Sequence, residues 1–345
     1  MTIIKILKPG MYTTIQDIGR YNHQKSGMSV SGAMDQFSLR MANILVGNVD
    51  SEACLETTLF GLKIKFEGDA LIAVTGGNLM PMINNKAIDM WSGIKVLGGD
   101  ELSFGTPESG CRSYIAIQHG MDVPEVMGSK STYVKGKVGG FKGRMLKAGD
   151  EIKINKAGEN SFTSIKKLPI ELIPSYYKDN IVRVIMGPQD DYFTKNGIYT
   201  FLDSEFEVTN EADRMGYRLS GPKISHKMSA DIISDGITMG SVQIPGEGAP
   251  IIMMADRQTT GGYTKIATII TPDINIVGQL KPGDSIKFEV INIEEAHRIY
   301  RKYMNDFELI RESVEKFEPS AINAKRLKVR VNNKQYEVLV EEIIQ

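Results

Sequence analysis

The chain of 345 residues is 41% hydrophobic and 24% charged, and its 41 Lys and Arg nearly balance its 42 Asp and Glu. This composition is typical of a soluble globular protein, and the length predicts two domains of roughly 100–200 residues. A net charge of −1 gives no bulk field that would attract nucleic acid. No apolar stretch approaches the roughly 20 residues that cross a bilayer. We therefore expect neither a nucleic acid nor a membrane as partner.

The N-terminus and the two cysteines predict a cytoplasmic protein. Met1 to Lys8 alternates charged and apolar residues, without the apolar core and cleavage site of a secretory signal. Cys54 and Cys111 form no CxxC pair, so we expect two buried thiols rather than a disulfide framework or a standard zinc site. The four histidines are scattered singly, which argues against a Ser-His-Asp hydrolase and against a histidine-based metal site.

Short runs rich in Val, Ile, Phe and Tyr lie between 34 glycines and 13 prolines, and this pattern predicts a mostly β protein with tight turns. Three segments share the form Gly-Asp-x-[Leu/Ile]-x-[Phe/Ile] and begin at Gly99, Gly149 and Gly283. Each predicts a turn that leads into a strand. Helices are predicted from Ser38 to Val46 and from Ile293 to Phe317, where apolar residues recur at helical spacing.

The polar, proline-containing segment from Asn155 to Asn180 predicts a connection between two halves. We expect a first β lobe at 1–160, a second β lobe at 175–292, and a C-terminal helix and β-hairpin at 293–345. The hairpin, Leu327 to Val331 and Tyr336 to Val340, is either a plain terminal hairpin or similar to the opening hairpin of a biotinyl carrier domain. Because no Met-Lys-Met element follows, we expect no covalently attached biotin on this chain.

Polar side chains concentrate in four Gly-rich runs. The first run extends from Pro9 to Arg20 and continues from Ser31 to Asp35. Its candidate binding residues are Gln16, Asp17, Arg20, Ser31 and Asp35. A turn in which Asp17 caps a backbone N–H explains this run equally well. The second run, Glu108 to Tyr114 with Ser129 to Tyr133, carries many hydroxyls but no neighbouring histidine that would activate one.

The third and fourth runs, Asp213 to Arg218 and Asp256 to Lys265, share the order Asp-Arg, glycine, tyrosine and a basic residue. A guanidinium fork beside glycines that expose backbone N–H groups indicates an anion or phosphate site. The alternative is Asp–Arg ion pairs that fix turns at a barrel rim. The candidate catalytic residues are Asp256, as general base or Mg²⁺ ligand, Arg257 and Lys265. The candidate binding residues are Arg214, Tyr217, Arg218, Gln243, Gln258, Thr259, Thr260, Gly262 and Tyr263.

These runs occur in an order that identifies a resemblance to a known family. Together with them, the phrases Gly47-Asn48, Glu56-Thr57, Ser131-Thr132-Tyr133 and Gly187-Pro188-Gln189-Asp190 resemble the carboxyltransferase A/B subdomain family. That family includes the C subunit of 5-oxoprolinase, the antagonist of a sporulation-kinase inhibitor (KipA-like), and proteins similar to allophanate hydrolase subunit 2. The resemblance extends from Leu7 to Phe288.

The resemblance implies two cyclophilin-like β-barrel lobes in one subunit of a heteromeric hydrolase. It implies a KipI-like B subunit, a LamB/YcsF-like A subunit, and the opening of 5-oxoproline to glutamate after ATP, with Mg²⁺, phosphorylates the lactam oxygen. Arg214, Arg218, Arg257 and Lys265 would then stabilise the transferred phosphoryl oxygens, and Arg20 would clamp the substrate carboxylate. We expect the chain to be inactive without its partner subunits.

Two alternative functions follow from the same family. One is a regulatory binding protein that antagonises a kinase inhibitor. The other is a carboxyltransferase subunit that takes a carboxyl group from a separate biotin carrier and transfers it to urea or a related amide.

Overall fold

The computed structural model describes residues 2–155, 165–176, 179–316, 325–331 and 334–340. The strands before residue 156 are β1 (Ile3–Pro9), β2 (Tyr12–Gln16), β3 (Cys54–Thr58), β4 (Leu62–Phe66), β5 (Ala70–Asn78), β6 (Pro81–Ile83), β7 (Lys86–Ala87), β8 (Gly93–Val96), β9 (Glu101–Phe104), β10 (Ser109–Ile117) and β11 (Glu151–Lys153). The later strands are β12 (Asp179–Met186), β13 (Phe206–Val208), β14 (Gly216–Ser220), β15 (Asp231–Gly236), β16 (Ser241–Gln243), β17 (Ile251–Met253), β18 (Thr260–Tyr263), β19 (Lys265–Ile269), β20 (Ser285–Val290), β21 (Lys325–Val331) and β22 (Lys334–Val340). The α-helices are α1 (Gln36–Leu45), α2 (Lys195–Asp203), α3 (Thr271–Val277) and α4 (Ile293–Lys316).

The first lobe consists of two β-sheets that share one hydrophobic core. One sheet has the order β11-β1-β4-β9-β6-β7 and the other β2-β3-β10-β5-β8. In β4, Leu62, Ile64 and Phe66 are buried while the intervening lysines are partly exposed, as expected for a strand with one face toward the core. Helix α1 covers the opposite face of the second sheet and packs Leu39 and Ala42 against Leu71.

The second lobe is a closed barrel of order β12-β19-β16-β17-β14-β13-β20, beside which β15 and β18 form a two-stranded ribbon. Phe201 of α2 stacks on Phe288 of β20 with ring centroids 4.4 Å apart. The mostly β fold is thus confirmed. The first lobe differs from the predicted barrel because its strands form two separate sheets. Alternation along a strand predicts which face is buried and does not predict whether the sheet edges close.

The three Gly-Asp segments adopt one turn geometry. Gly99, Gly149 and Gly283 have φ of 101°, 88° and 87°, a region that favours glycine. In each turn the following aspartate accepts a hydrogen bond from the backbone N–H three residues earlier, at 2.8, 2.7 and 3.0 Å respectively. The turns lead into β9, β11 and β20, which confirms the prediction of a turn and a strand.

The two predicted helices are confirmed as α1 and α4, each within two residues of the predicted bounds. Helix α4 packs onto the first lobe through buried Phe307, whose ring meets Phe37 edge-on at 6.1 Å and lies 3.6 Å from the Arg40 guanidinium. Strands β21 and β22 pair from Lys325↔Val340 to Val331↔Lys334. The predicted turn at 332–333 lies outside the described residues.

The change from the first lobe to the second falls within the predicted connection, because β11 ends at Lys153 and β12 begins at Asp179. The domain bounds themselves remain predictions. Cys54 and Cys111 are free and buried, as predicted. Among the described residues, no helix combines the length and the apolarity required to cross a membrane.

Candidate functional site

Arg214 joins the two lobes. The residue lies just before β14 and is 5% exposed. Its guanidinium forms an ion pair with Glu56 of β3 in the first lobe. It also binds Asp256 of the second lobe through Nε at 3.0 Å and Nη2 at 3.1 Å. Burial disfavours the charged guanidinium, but Asp256 and Glu56 outweigh burial and hold the pKa of Arg214 above its usual range. Arg214 is therefore a fixed cation shared by two carboxylates.

Glu56 extends this network into the first lobe. Its Oε2 accepts hydrogen bonds from the Tyr114 hydroxyl at 2.8 Å and from the Met34 backbone N–H at 2.9 Å. The Tyr114 hydroxyl accepts in turn from the backbone N–H of Asp35 at 2.8 Å. Burial raises the pKa of Tyr114 well above its usual value, so the phenol stays protonated and can donate to Glu56.

Asp35 is a helix cap that also connects the lobes. Its Oδ1 accepts from the Ser38 N–H at 3.0 Å at the start of α1. Its Oδ2 accepts from the Tyr176 hydroxyl at 2.9 Å and from Gln279 Nε2 at 2.8 Å. Gln279 Oε1 accepts from the Arg112 N–H at 2.9 Å. The predicted binding residue Asp35 is therefore saturated by protein donors, a role that stabilises helix and interface alike.

Asp17 holds a loop of the first lobe in place. Its Oδ1 accepts from the Gly19 N–H and the Ser129 hydroxyl, both at 2.8 Å, and from the Ser131 hydroxyl. Its Oδ2 accepts from the Lys130 N–H at 2.6 Å. The turn interpretation of the first run is thus correct for Asp17, since the carboxylate caps a backbone N–H two residues ahead.

Arg20 is fully buried beside this loop. Its Nε donates to the Val126 carbonyl and its Nη2 to the Ser131 carbonyl, each at 2.8 Å, while Nη1 has no partner within the described part of the chain. Burial lowers the pKa of Arg20. Because the guanidinium is inaccessible to solvent, the interpretation of Arg20 as a clamp for the substrate carboxylate gives way to a role in positioning the loop.

The remaining residues of the first run are also held inside the protein. Gln16 is buried and its Nε2 donates to the Thr14 hydroxyl at 2.9 Å and to the Thr132 carbonyl at 3.1 Å. Ser31 is buried with φ of 57°, and its N–H donates to the Ala255 carbonyl at 3.0 Å. The backbone of Ser31 therefore links the first run, across the lobe boundary, to the residue that precedes the fourth run.

A cleft of about 340 Å³ opens beside Arg214 between the lobes. Its lining includes Met11, Tyr12, Arg112 and Lys135 from the first lobe and Asp213, Arg214, Met215 and Asp256 from the second. We call it the inter-lobe cleft. Burial raises the pKa of Tyr12 to about 12, so this phenol remains a neutral hydrogen-bond donor at physiological pH. A cavity of this volume lies at the small end of the range of ligand sites.

A second cavity of about 280 Å³ adjoins the inter-lobe cleft at Asp213 and Met215. It brings together four of the predicted binding residues, Arg218, Gln243, Gln258 and Tyr263. Arg218 is half-exposed and forms an ion pair with Glu211 at 3.1 Å. The third and fourth runs therefore contribute to one surface, and this surface is continuous with the inter-lobe cleft.

The three predicted catalytic residues are each bound by protein groups. Both carboxylate oxygens of Asp256 accept from Arg214. Arg257 is buried and donates to the carbonyls of Ile237 at 3.2 Å and Met254 at 3.3 Å, and burial lowers its pKa. Lys265, 4% exposed, forms an ion pair with Asp235 at 2.5 Å. Of the three, Asp256 alone lines the inter-lobe cleft.

The other predicted binding residues lie outside the cleft. The buried Tyr217 hydroxyl donates to the Leu280 carbonyl at 3.2 Å and accepts from Arg112 Nη1. Thr259, Thr260 and Gly262 lie in or next to the β15–β18 ribbon.

Sequence reasoning missed Glu56, Tyr12, Lys135 and Gln279 as site residues. Glu56 could have been recognised from the sequence, because it is a charged residue within a buried strand whose other residues are apolar or hydroxylated. A buried charge requires a partner. Gln279 and Lys135 follow no local pattern. Their roles depend on contacts between residues far apart in the chain.

The region that contains most of the first lobe, the second lobe and the buried inter-lobe network matches a carboxyltransferase-type domain. Residues 26–290 match the family described as carboxyltransferase domain, subdomain A and B, and the chain belongs to this family. It is 37% identical to the C subunit of 5-oxoprolinase from Escherichia coli over 89% of this chain and 97% of that protein. It is 34% identical to urea amidolyase of Saccharomyces cerevisiae over 86% of this chain but 17% of that protein.

Solved structures show the same fold. The crystal structure of Kluyveromyces lactis urea carboxylase matches with a TM-score of 0.84 at 30% identity, covering 99% of this chain and 32% of that one. The crystal structure of TTHA0988 matches with a TM-score of 0.76 at 27% identity, covering 84% of this chain and 55% of that one. The chain thus corresponds to a part of each of these larger proteins.

Proposed function

We propose that this chain is the C subunit of an ATP-dependent 5-oxoprolinase, which acts with the A and B subunits to phosphorylate and open 5-oxo-L-proline to L-glutamate. The observation that carries the proposal is the match along 97% of the Escherichia coli 5-oxoprolinase component. The match to urea amidolyase covers 17% of that protein. The name of the bacterial relative supports a multi-subunit enzyme, and the KipI-like and LamB/YcsF-like partners are part of the proposal.

The inter-lobe cleft supports a small, polar substrate. It combines a neutral phenol, Tyr12, with the cations Arg112 and Lys135. A lactam that carries a carboxylate offers a carbonyl oxygen to a phenol and negative charge to a cation. The buried Arg214–Glu56–Asp256 network fixes the two walls relative to each other, so the cleft is preorganised.

The residues predicted to bind Mg²⁺ and ATP have partners within this chain. Asp256, the predicted Mg²⁺ ligand, directs both oxygens to Arg214. Within the described ranges, no cluster of three or more His, Cys, Asp or Glu side chains could hold a metal ion. Arg257 and Lys265, the predicted phosphate ligands, are bound to carbonyls and to Asp235. We propose that ATP, with Mg²⁺, binds in the assembled complex of this chain with its partner subunits.

Reconstitution tests the proposed function. We expect ATP-dependent release of glutamate from 5-oxo-L-proline when this chain is combined with its A and B subunits, and loss of this turnover when any one of the three is omitted. Glutamate is measured by a coupled assay, with ADP release as the second readout. Turnover that is unchanged without this chain, or absent with all three subunits, contradicts the proposal.

Because Cys54 and Cys111 are free thiols, we propose that the complex works in the reducing cytoplasm.

Carboxyl transfer from a separate biotin carrier is the second candidate, and the TM-score of 0.84 with urea carboxylase supports it. The same reconstituted protein would then consume carboxybiotin in the presence of urea and form no glutamate. Supplying free carboxybiotin and urea and following carboxybiotin loss separates this candidate from 5-oxoprolinase.

A further inference from the structure

The cations of the inter-lobe cleft differ in how far their charges are already neutralised. Arg214 is shared by Glu56 and Asp256. Arg112 is 5% exposed, its Nη1 donates to the Gly278 carbonyl at 2.7 Å, and its Nε lies 3.9 Å from Glu56. Both arginines are therefore held by acceptors of the protein and contribute to the structure of the interface.

Lys135 is the exception among these cations. It is exposed at the edge of the cleft, and its Nζ lies 3.7 Å from Met215 Sδ of the opposite wall. Across the described ranges, no carboxylate oxygen lies within 4.0 Å of this ammonium group. A thioether sulfur is a weak acceptor and does not neutralise an ammonium charge. Lys135 therefore lies at the edge of the cleft without an ion-pair partner in the described part of the chain.

The carboxylates of the cleft are not available to Lys135. Asp256 is engaged by Arg214. Asp213 Oδ1 accepts from the N–H groups of Met215 at 2.7 Å and Gly216 at 3.1 Å, which fixes it in the turn before β14. Of the three cations in the lining, Lys135 is therefore the one without an ion-pair partner among the described residues, and it can meet an anionic group on a ligand.

We propose that Lys135 is a specificity-determining residue that binds the carboxylate of 5-oxo-L-proline at the mouth of the inter-lobe cleft. It thereby selects carboxylated lactams over neutral ones. This inference rests on the proposed function, because it takes 5-oxo-L-proline as the substrate. It gives Lys135 the role that the sequence analysis predicted for Arg20, which is to bind the carboxylate of the substrate. The ring of the substrate would lie deeper in the cleft, toward Tyr12.

The test compares Lys135→Met with Lys137→Met in the assembled three-subunit complex. Lys137 is an exposed lysine of the same loop that does not line the cleft, so it controls for the loss of one charge. For Lys135→Met we expect KM for 5-oxo-L-proline to rise roughly 10-fold or more, with kcat within about 3-fold, since a uniform binding contact is removed. Lys135→Arg, which keeps the positive charge, should retain most of the wild-type affinity for 5-oxo-L-proline.

A neutral analogue separates carboxylate recognition from a structural effect. The competitive inhibition constant of 2-pyrrolidone, which lacks the carboxylate, should be the same in the wild-type complex and in Lys135→Met. An unchanged KM in Lys135→Met would overturn the inference, and so would an equal loss of affinity for 2-pyrrolidone. In either case, turnover by the wild-type complex would still support the proposed function. A wild-type complex without turnover would overturn the proposed function, and the inference with it.

Discussion

Replacing Arg214 with methionine should lower the free energy of unfolding by about 3–5 kcal/mol, the cost of leaving buried ion-pair partners without their counter-charge. Glu56 is 1% exposed and Asp256 is 4% exposed, so neither carboxylate can recover hydration in place of the guanidinium. The two carboxylates come from different lobes, and the loss should therefore also loosen the lobe interface.

Urea unfolding of the full chain, followed by fluorescence of Trp91 and by circular dichroism, measures this effect. Arg218→Met is the matched control, because Arg218 lies four residues along the chain and pairs with Glu211 at the surface with its side chain 49% exposed. Exposed pairs contribute about 0–1 kcal/mol. Equal losses in the two variants would show that the Arg214 network does not stabilise the interface.

Gly139→Ala should destabilise the chain by more than about 3 kcal/mol, through backbone strain and a steric clash together. Gly139 has φ of 69°, and a Cβ at this position would lie 2.0 Å from the Ser131 carbonyl oxygen and 2.6 Å from Arg20 Nη2. That carbonyl accepts the Arg20 hydrogen bond, so relieving the clash would displace both groups and disturb the loop that Asp17 holds.

Gly128→Ala provides the control within the same loop. Gly128 has φ of 74°, and a Cβ at this position would have nothing within 4 Å, so its substitution adds the backbone cost alone, about 1–2 kcal/mol. The difference between the two variants, measured by urea unfolding, isolates the clash. Equal destabilisation would show that the loop yields freely around Gly139 and that its packing on Ser131 is not specific.

Local patterns predicted most of the fold. The alternation in β4, the repeated Gly-Asp turns and the amphipathic spacing of α4 each depend on neighbouring residues, so they can be recognised in the sequence. Closure of the second barrel depends on pairs such as Asp179↔Ser285, which are far apart in the chain. No local pattern encodes such pairing, and the separation of the first lobe into two sheets was not predicted for the same reason.

In the candidate site, too, local patterns were predictable from the sequence and contacts between distant residues were not. The third and fourth runs line one cavity, but their Asp–Arg dipeptides do not pair internally. Arg214 of one run binds Asp256 of the other, while Arg257 is bound by carbonyl groups. The ion-pair alternative is thus correct for Asp256, with a partner from another segment. Lys135, the exposed cation that lines the inter-lobe cleft, lies in a loop of the first lobe, where composition indicated no function.

Hydrogen exchange in the assembled complex tests most directly whether the inter-lobe cleft binds the substrate. With ATP omitted to prevent turnover, saturating 5-oxo-L-proline should slow amide exchange in the segments that line the cleft, residues 11–16, 133–138 and 211–216. Exchange in the β15–β18 ribbon should stay unchanged. Protection confined to the ribbon, or no protection in this chain while the complex remains active, would contradict a substrate site between the lobes.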